Sequence, residues 1–188
     1  MEYKKIFVTV GTTEFNSLLK RLSERDLYDI LKDHLGCKEL TIQYGRGEKI
    51  EFKDFDDIKV QMFGLKDSIL DDIESADLVS YHNESNNVKL LCINHFQVIS
   101  HAGAGTCIDV LTRNKCLIVV CNEELMDNHQ VELAEQLASE NYLIHTSLSQ
   151  LHTTLKTFNP DKLQIYEPGK VTKFIEYLDD FMGFSEND

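Results

Sequence analysis

The stretch Gln97-Val98-Ile99-Ser100-His101-Ala102-Gly103-Ala104-Gly105-Thr106-Cys107-Ile108-Asp109 decides how the chain is read. An apolar run ends at Ser100, a turn of small residues follows, and helical spacing resumes near Gly105, with Ile108, Val110 and Leu111 on the apolar face. In such a strand–turn–helix unit the free backbone N–H groups and the positive end of the helix dipole face an anion. Glycine at 103 and 105 keeps Cβ atoms out of a ligand's way, and Thr106 adds a hydroxyl donor. On spacing alone the segment suits a plain tight turn as well as an anion cradle. It is not a dinucleotide fingerprint, because Ile108 stands where the third glycine belongs, and no Gly-Lys-Ser/Thr of a P-loop occurs.

Working outward, short β-rich runs at residues 6–10, 40–44, 78–81, 97–100, 117–120 and 142–144 alternate with segments of helical spacing. The first helical segment carries Leu18, Leu19, Leu22, Leu27, Ile30 and Leu31, with a possible break over residues 23–26. Others carry Ile69, Leu70 and Ile73, then Val88, Leu91 and Ile93, and, past the glycine turn, Val131, Leu133, Ala134, Leu137 and Ala138. This alternation predicts an α/β fold: one Rossmann-like domain with a mostly parallel, doubly wound sheet. The 188 residues are too few for two such domains. Residues 46–66, rich in Lys, Asp and Glu, are expected to form a surface excursion. After Pro160 and Pro168, a terminal helix over 170–183 places Val171, Phe174, Ile175, Leu178 and Phe181 on one face, which either caps the chain's own sheet or docks on a partner.

Composition narrows the function classes. A net charge of −13 argues against nucleic acid or an anionic membrane surface as the main partner, yet a small anion can still be held by backbone amides. Cys37, Cys92, Cys107, Cys116 and Cys121 are odd in number, form no C-x-x-C pair and mostly adjoin apolar runs, so buried free thiols in a reducing compartment are expected. The opening MEYKKIFVTVG lacks the apolar core of a signal peptide, and no run approaches the roughly 18 apolar residues of a membrane span. The expectation is a cytoplasmic protein with no direct membrane span, in which the sequon at Asn83 goes unused.

Several residues gather around the central turn. Asp109 lies four positions after Gly105, on the same helix face and one turn deeper, where a carboxylate reaches a ribose or simply faces solvent. Asp127, Asn128, His129 and Gln130 follow the run at 117–120 at a helix start, where amide and imidazole groups suit a sugar's hydroxyls or cap the helix. Gly11 and Thr12 close the first strand and are candidates for phosphate or acceptor contact, as is the turn Gly45-Arg46-Gly47, though ordinary turn chemistry accounts for each of these glycines more readily. His101, at the turn's mouth, is the titratable candidate for the catalytic base, the alternatives being a base from another chain and a His101 that simply caps the turn. His82, His95, His101 and His129 lack metal-ligand spacing with the cysteines, so neither a metal nor a cofactor is expected.

At SHAGAGT, residues 100–106, followed by LMDNHQVELA, residues 125–134, the chain resembles the family of small subunits of the two-part UDP-N-acetylglucosamine transferase of asparagine-linked glycosylation. That family in turn is similar to the carboxyl-terminal, donor-binding half of the bacterial peptidoglycan N-acetylglucosaminyltransferase. The similarity runs from FVTVGTT, residues 7–13, through QYGRG, residues 43–47, to about Tyr142. It implies the C-terminal half of a GT-B glycosyltransferase, a nucleotide-sugar-binding domain that takes UDP-N-acetylglucosamine. With a membrane-anchored partner subunit, at the cytosolic face of the endoplasmic reticulum, such a subunit adds the second N-acetylglucosamine to dolichol-diphosphate-linked N-acetylglucosamine, inverting to a β1,4 linkage. By position, Gly103, Ala104, Gly105 and Thr106 meet the diphosphate and Asp109, a glutamate in the bacterial relatives, meets the ribose. His129 and Gln130 replace paired glutamines near the sugar, with Asn128 and Asp127 beside them, and the terminal helix packs on the partner. The rivals are a non-catalytic nucleotide-sugar-binding module and a small Rossmann oxidoreductase.

Overall fold

The computed structural model describes residues 5–53, 55–75, 97–101, 103–121 and 129–166. Its centre is strand β1, Lys5–Thr9, whose KIFVT sequence alternates two apolar faces, with Ile6 and Val8 on one side and Phe7 on the other. Every residue of that strand from Ile6 onward is buried, as a strand covered on both faces must be. Pairing is parallel throughout: β1 with β2 (Glu39–Gln43) and β4 (Gln97–Ser100), β2 with β3 (Lys59–Phe63), β4 with β5 (Cys116–Val120), and β5 with β6 (Ile144–Thr146). The sheet order is β3-β2-β1-β4-β5-β6. Parallel neighbours need crossovers, and helices supply them on both faces.

On one face, α1 (Asn16–Leu22), α2 (Arg25–Asp29) and a π-helical turn over Ile30–His34 bury Leu18, Leu19, Leu22, Leu27 and Leu31 against Ile6, Val8 and Ile42. Helix α6, Leu151–Thr157, joins that core through Leu151 and Leu155. On the other face, α3 (Leu70–Glu74), α4 (Ala104–Leu111) and α5 (His129–Ser139) pack Ile73, Cys107, Val110, Leu133 and Leu137 against Phe7, Val98, Leu117 and Val119. The doubly wound α/β reading therefore holds. So does the break in the first helical segment: α1 ends at Leu22, Glu24 is extended (φ −76, ψ 146), and α2 restarts at Arg25. Arg21 bridges the break, bonding Glu24 at 2.6 Å and Asp26 at 2.6 Å.

One expectation is overturned. Residues 46–66 are not a surface excursion throughout, because β3 lies within them at the sheet edge, in register with β2 from Glu39↔Lys59 to Gln43↔Phe63. An edge strand is covered less, so Lys59 and Gln61 face solvent while Val60 and Met62 are only partly buried, and the strand lacks the continuous apolar run that marks its neighbours. The loop before it also contributes to the core: Phe55 packs on the Tyr28 ring at 4.4 Å between centroids, and Ile58 is 3 % exposed. The last strand starts later than expected, at Ile144, with Tyr142 and Leu143 buried in the loop before it. Helix α6 carried no sequence expectation. The runs at 78–81 and 88–93, and the terminal helix at 170–183, lie outside the described residues.

Among the described residues, no helix is long and apolar enough to cross a membrane. Among the described residues, Cys37, Cys107, Cys116 and Cys121 are buried and form no disulfide, as expected, and burial pushes the thiols of Cys37 and Cys107 up to about 12.

Candidate functional site

In this strand order the chain leaves β1 toward β2 and β3 on one side and returns through β4 to β5 and β6 on the other. The carboxyl ends of β1 and β4 therefore flank the switch point, where open α/β sheets form a ligand crevice. Two glycine turns meet there: Gly11-Thr12 after β1 and Gly103 after β4.

The second turn opens α4. Gly103 is its N-cap residue, with extended φ −61 and ψ 122, and has no side chain to cap the helix. The first helical bond runs from Cys107 N–H to the Gly103 carbonyl at 3.0 Å, so the amides of Ala104, Gly105 and Thr106 precede the ladder. Ala104 and Gly105 are exposed, and a Cβ built on Gly105 meets nothing within 4 Å. An uncapped, glycine-lined helix tip with open space above it favours an anion through both its donors and its dipole.

The first turn is built differently. Gly11 has φ +60, and its N–H points inward, donating to Thr9 Oγ1 at 3.0 Å. The Gly11 amide is thus not free for a ligand, and the residue serves by being small. A Cβ there would lie 2.7 Å from His101 Cε1, and one at Gly103 would lie 3.0 Å from His101 Cε1 and Nε2. The imidazole is wedged between the two turns. The exposed group on the first turn is Thr12. The β2 turn braces it, since the Arg46 N–H donates to the Thr13 carbonyl at 3.1 Å and a Cβ on Gly45 would meet Gly11 O at 2.8 Å. The glycine of QYGRG is therefore used for backbone approach, with Arg46 exposed beside it.

His101 is 5 % exposed, and its Nδ1 has no hydrogen-bond partner among the described residues, nor does the buried Ser100 Oγ. Burial lowers the imidazole's pKa, with the Thr9 backbone opposing part of the shift, so the ring is neutral near pH 7. Asp109 lies on α4 one turn below the tip, with its side chain 43 % exposed and turned to Arg113 at 3.5 Å, which also bonds Glu74 at 3.0 Å. His129 and Gln130 form the first positions of α5, after β5 on the same sheet edge. Asp127 and Asn128 lie outside the described residues. The fold thus brings Gly11, Thr12, His101, Gly103, Ala104, Gly105 and Thr106 together at one crevice, with Asp109 beneath it.

Sequence reasoning missed Thr9 and Gln43, a buried pair at the carboxyl ends of β1 and β2 whose side chains bond at 2.5 Å. A polar residue ending an apolar strand was the available signal, but the pairing across the sheet was not. It also missed the contact of Cys121 Sγ with His145 Nε2 at 2.9 Å, at the ends of β5 and β6.

Residues 87–180 match the model of the glycosyltransferase family 28 C-terminal domain. The chain belongs to this family. This family 28 domain is also 40 % identical over 144 residues to the UDP-N-acetylglucosamine transferase subunit ALG13 of Mus musculus, covering 76 % of the chain but 10 % of that relative. It thus spans about a tenth of the length of the mouse protein. The protein of the same name in Cryptococcus neoformans var. neoformans serotype D is 31 % identical over 194 residues, covering 95 % of the chain and 96 % of that relative. Among solved structures, the family 28 domain superposes on the NMR solution structure of ALG13 with a TM-score of 0.60 at 24 % identity, over 94 % of this chain and 96 % of that one. It superposes on Acinetobacter baumannii MurG with a TM-score of 0.57 at 19 % identity, over 94 % of this chain and 50 % of that one. The fold is that of one half of a GT-B glycosyltransferase.

Proposed function

We propose that this chain is the donor-binding part of an N-acetylglucosaminyltransferase that takes UDP-N-acetylglucosamine and works with a membrane-anchored partner subunit. The observation that carries the reading is the uncapped tip of α4 at the switch point, with the amides of Ala104, Gly105 and Thr106 ahead of the helical ladder. Those donors hold the diphosphate, and Thr12 faces it from the first turn. Asp109 takes the ribose by releasing Arg113, which costs little because a partly exposed ion pair at 3.5 Å is worth about 0–1 kcal/mol. His129 and Gln130, at the start of α5, supply the sugar contacts together with Asn128. The names of the relatives support the donor and the word subunit supports the partner.

The acceptor on this reading is dolichol-diphosphate-linked N-acetylglucosamine at the cytosolic face of the endoplasmic reticulum, where the partner recruits this chain through residues 170–183. The acceptor 4-hydroxyl attacks C1 of the donor sugar, the bond from C1 to UDP breaks, and UDP leaves with the electron pair, giving an inverted β1,4 linkage. Helix amides stabilise charge developing on the leaving diphosphate. The neutral His101 is in the protonation state a general base needs, and its 5 % exposure means the acceptor proton reaches it only if the crevice opens.

Isothermal titration with UDP-N-acetylglucosamine, repeated with NAD, tests the donor. Binding of the sugar nucleotide is expected, weakened roughly tenfold in Asp109→Ala, the scale of one lost charge-assisted hydrogen bond. Binding of NAD alone would overturn the reading in favour of an oxidoreductase. Sugar transfer to a lipid-linked acceptor, assayed with and without microsomal membranes, separates an enzyme subunit from a non-catalytic binding module.

A further inference from the structure

Register places Gln43, Thr9 and Ser100 side by side at the carboxyl ends of three adjacent strands, paired Thr9↔Gln43 and Thr9↔Ser100. All three are 3 % exposed or less. One pleat earlier, Phe7 and Val98 are apolar and belong to the core on that face, and only β2 already carries a hydroxyl there, Thr41. A doubly wound sheet has no packing reason to exchange apolar side chains for hydroxyls and an amide here, since a buried polar group gains little net stability when paired and costs more when left unpaired, as Ser100 Oγ is among the described residues.

The pair has a direction. A hydroxyl has one proton, and Thr9 gives it to Gln43 Oε1 at 2.5 Å while its oxygen accepts the Gly11 N–H at 3.0 Å. The result is a chain from Gly11 N–H to Thr9 O–H to the Gln43 carbonyl, in which each bond polarises the next. Gly11 is then held from beneath by Thr9, from the side by the Gly45 turn and from across the crevice by the His101 ring. With its N–H committed inward, the first turn presents Thr12 at the crevice.

We infer that Thr9 and Gln43 are positioning residues: their buried relay sets the Gly11 turn against the buried His101 wedge, so that Thr12 faces the diphosphate at the tip of α4. The inference rests on the donor reading above. The two carry the same role, Thr9 as the link and Gln43 as its terminal acceptor.

The test uses the full chain in three forms: wild type, Thr9→Val and Thr9→Ser. Valine keeps the shape and removes the hydroxyl, whereas serine keeps the hydroxyl. Titration with UDP-N-acetylglucosamine is expected to show a roughly tenfold weaker Kd for Thr9→Val and near-wild-type affinity for Thr9→Ser, the size of one lost hydrogen bond. Hydrogen exchange of the Gly11 amide, followed by NMR, is expected to accelerate in Thr9→Val while that of Val8 does not. Equal affinity and equal Gly11 exchange in Thr9→Val would overturn the relay. If wild type binds no sugar nucleotide, the donor reading fails, and Gly11 exchange alone decides whether the relay holds the turn. Should Thr9→Val not fold, Gln43→Met removes the acceptor at similar volume and is read through the same amide.

Discussion

The imidazole of His101 fills the volume that a side chain at Gly11 would need: a Cβ there would lie 2.7 Å from His101 Cε1. Two turns whose glycines, Gly11 and Gly103, are 92 positions apart in the chain are thereby fitted to one another by a single ring. The parallel pairing of β1 with β4 is what makes them neighbours. Three expectations follow from this contact and from the open space above Gly105.

Gly11→Ala meets two penalties, a positive φ of +60 and the contact with His101. A loss of about 1–3 kcal/mol in urea unfolding is expected. In a His101→Ala background the steric part vanishes and only the backbone part remains, so the loss shrinks. Equal losses in the two backgrounds would show that the ring is not the obstacle.

Gly105→Ala behaves in the opposite sense. Its Cβ meets nothing within 4 Å and the position is helical, so stability is expected to hold or rise by up to about 0.5–1 kcal/mol. The same methyl intrudes on the space above the helix tip, and affinity for UDP-N-acetylglucosamine is expected to fall several-fold. A variant that binds as tightly as wild type would place the diphosphate elsewhere.

The pH dependence of stability carries the mark of His101. Its folded pKa lies below the ordinary 6.5, so the unfolded chain binds more protons as pH falls. The neutral ring's contribution is complete above the ordinary value and is lost as pH drops through it toward the folded one. Asp26 and Asp57 act in a different window. Arg21 and Lys32 hold their carboxyls below the ordinary 3.8, so their stabilisation persists above that value and fades only in stronger acid. Between about pH 7 and pH 5, the Tm of wild type is therefore expected to fall more than that of His101→Gln. Parallel Tm curves for the two proteins would remove the buried neutral imidazole from the account.

Much of the crevice was legible because it is local. The turn from Ser100 to Thr106 combines a strand end, small residues and a helix start within one short segment, and each leaves a mark on the sequence. The broken helix at Ser23-Glu24 was legible for the same reason. Strand β3 was not, since a half-covered edge strand among charged residues shows neither an apolar run nor a clear turn signal. Nor was the inward commitment of the Gly11 amide to Thr9, since a glycine after a strand fits an ordinary turn and a phosphate contact alike.

By itself, then, the order of residues determined the alternation of elements, the doubly buried central strands and the glycine-led tip of α4, because hydrophobic period and backbone freedom act over a few positions. Only the tertiary structure decided that Thr9 pairs with Gln43 and that His101 sits between Gly11 and Gly103. Both depend on strand order and register, which are settled by packing between distant segments and which no local pattern encodes.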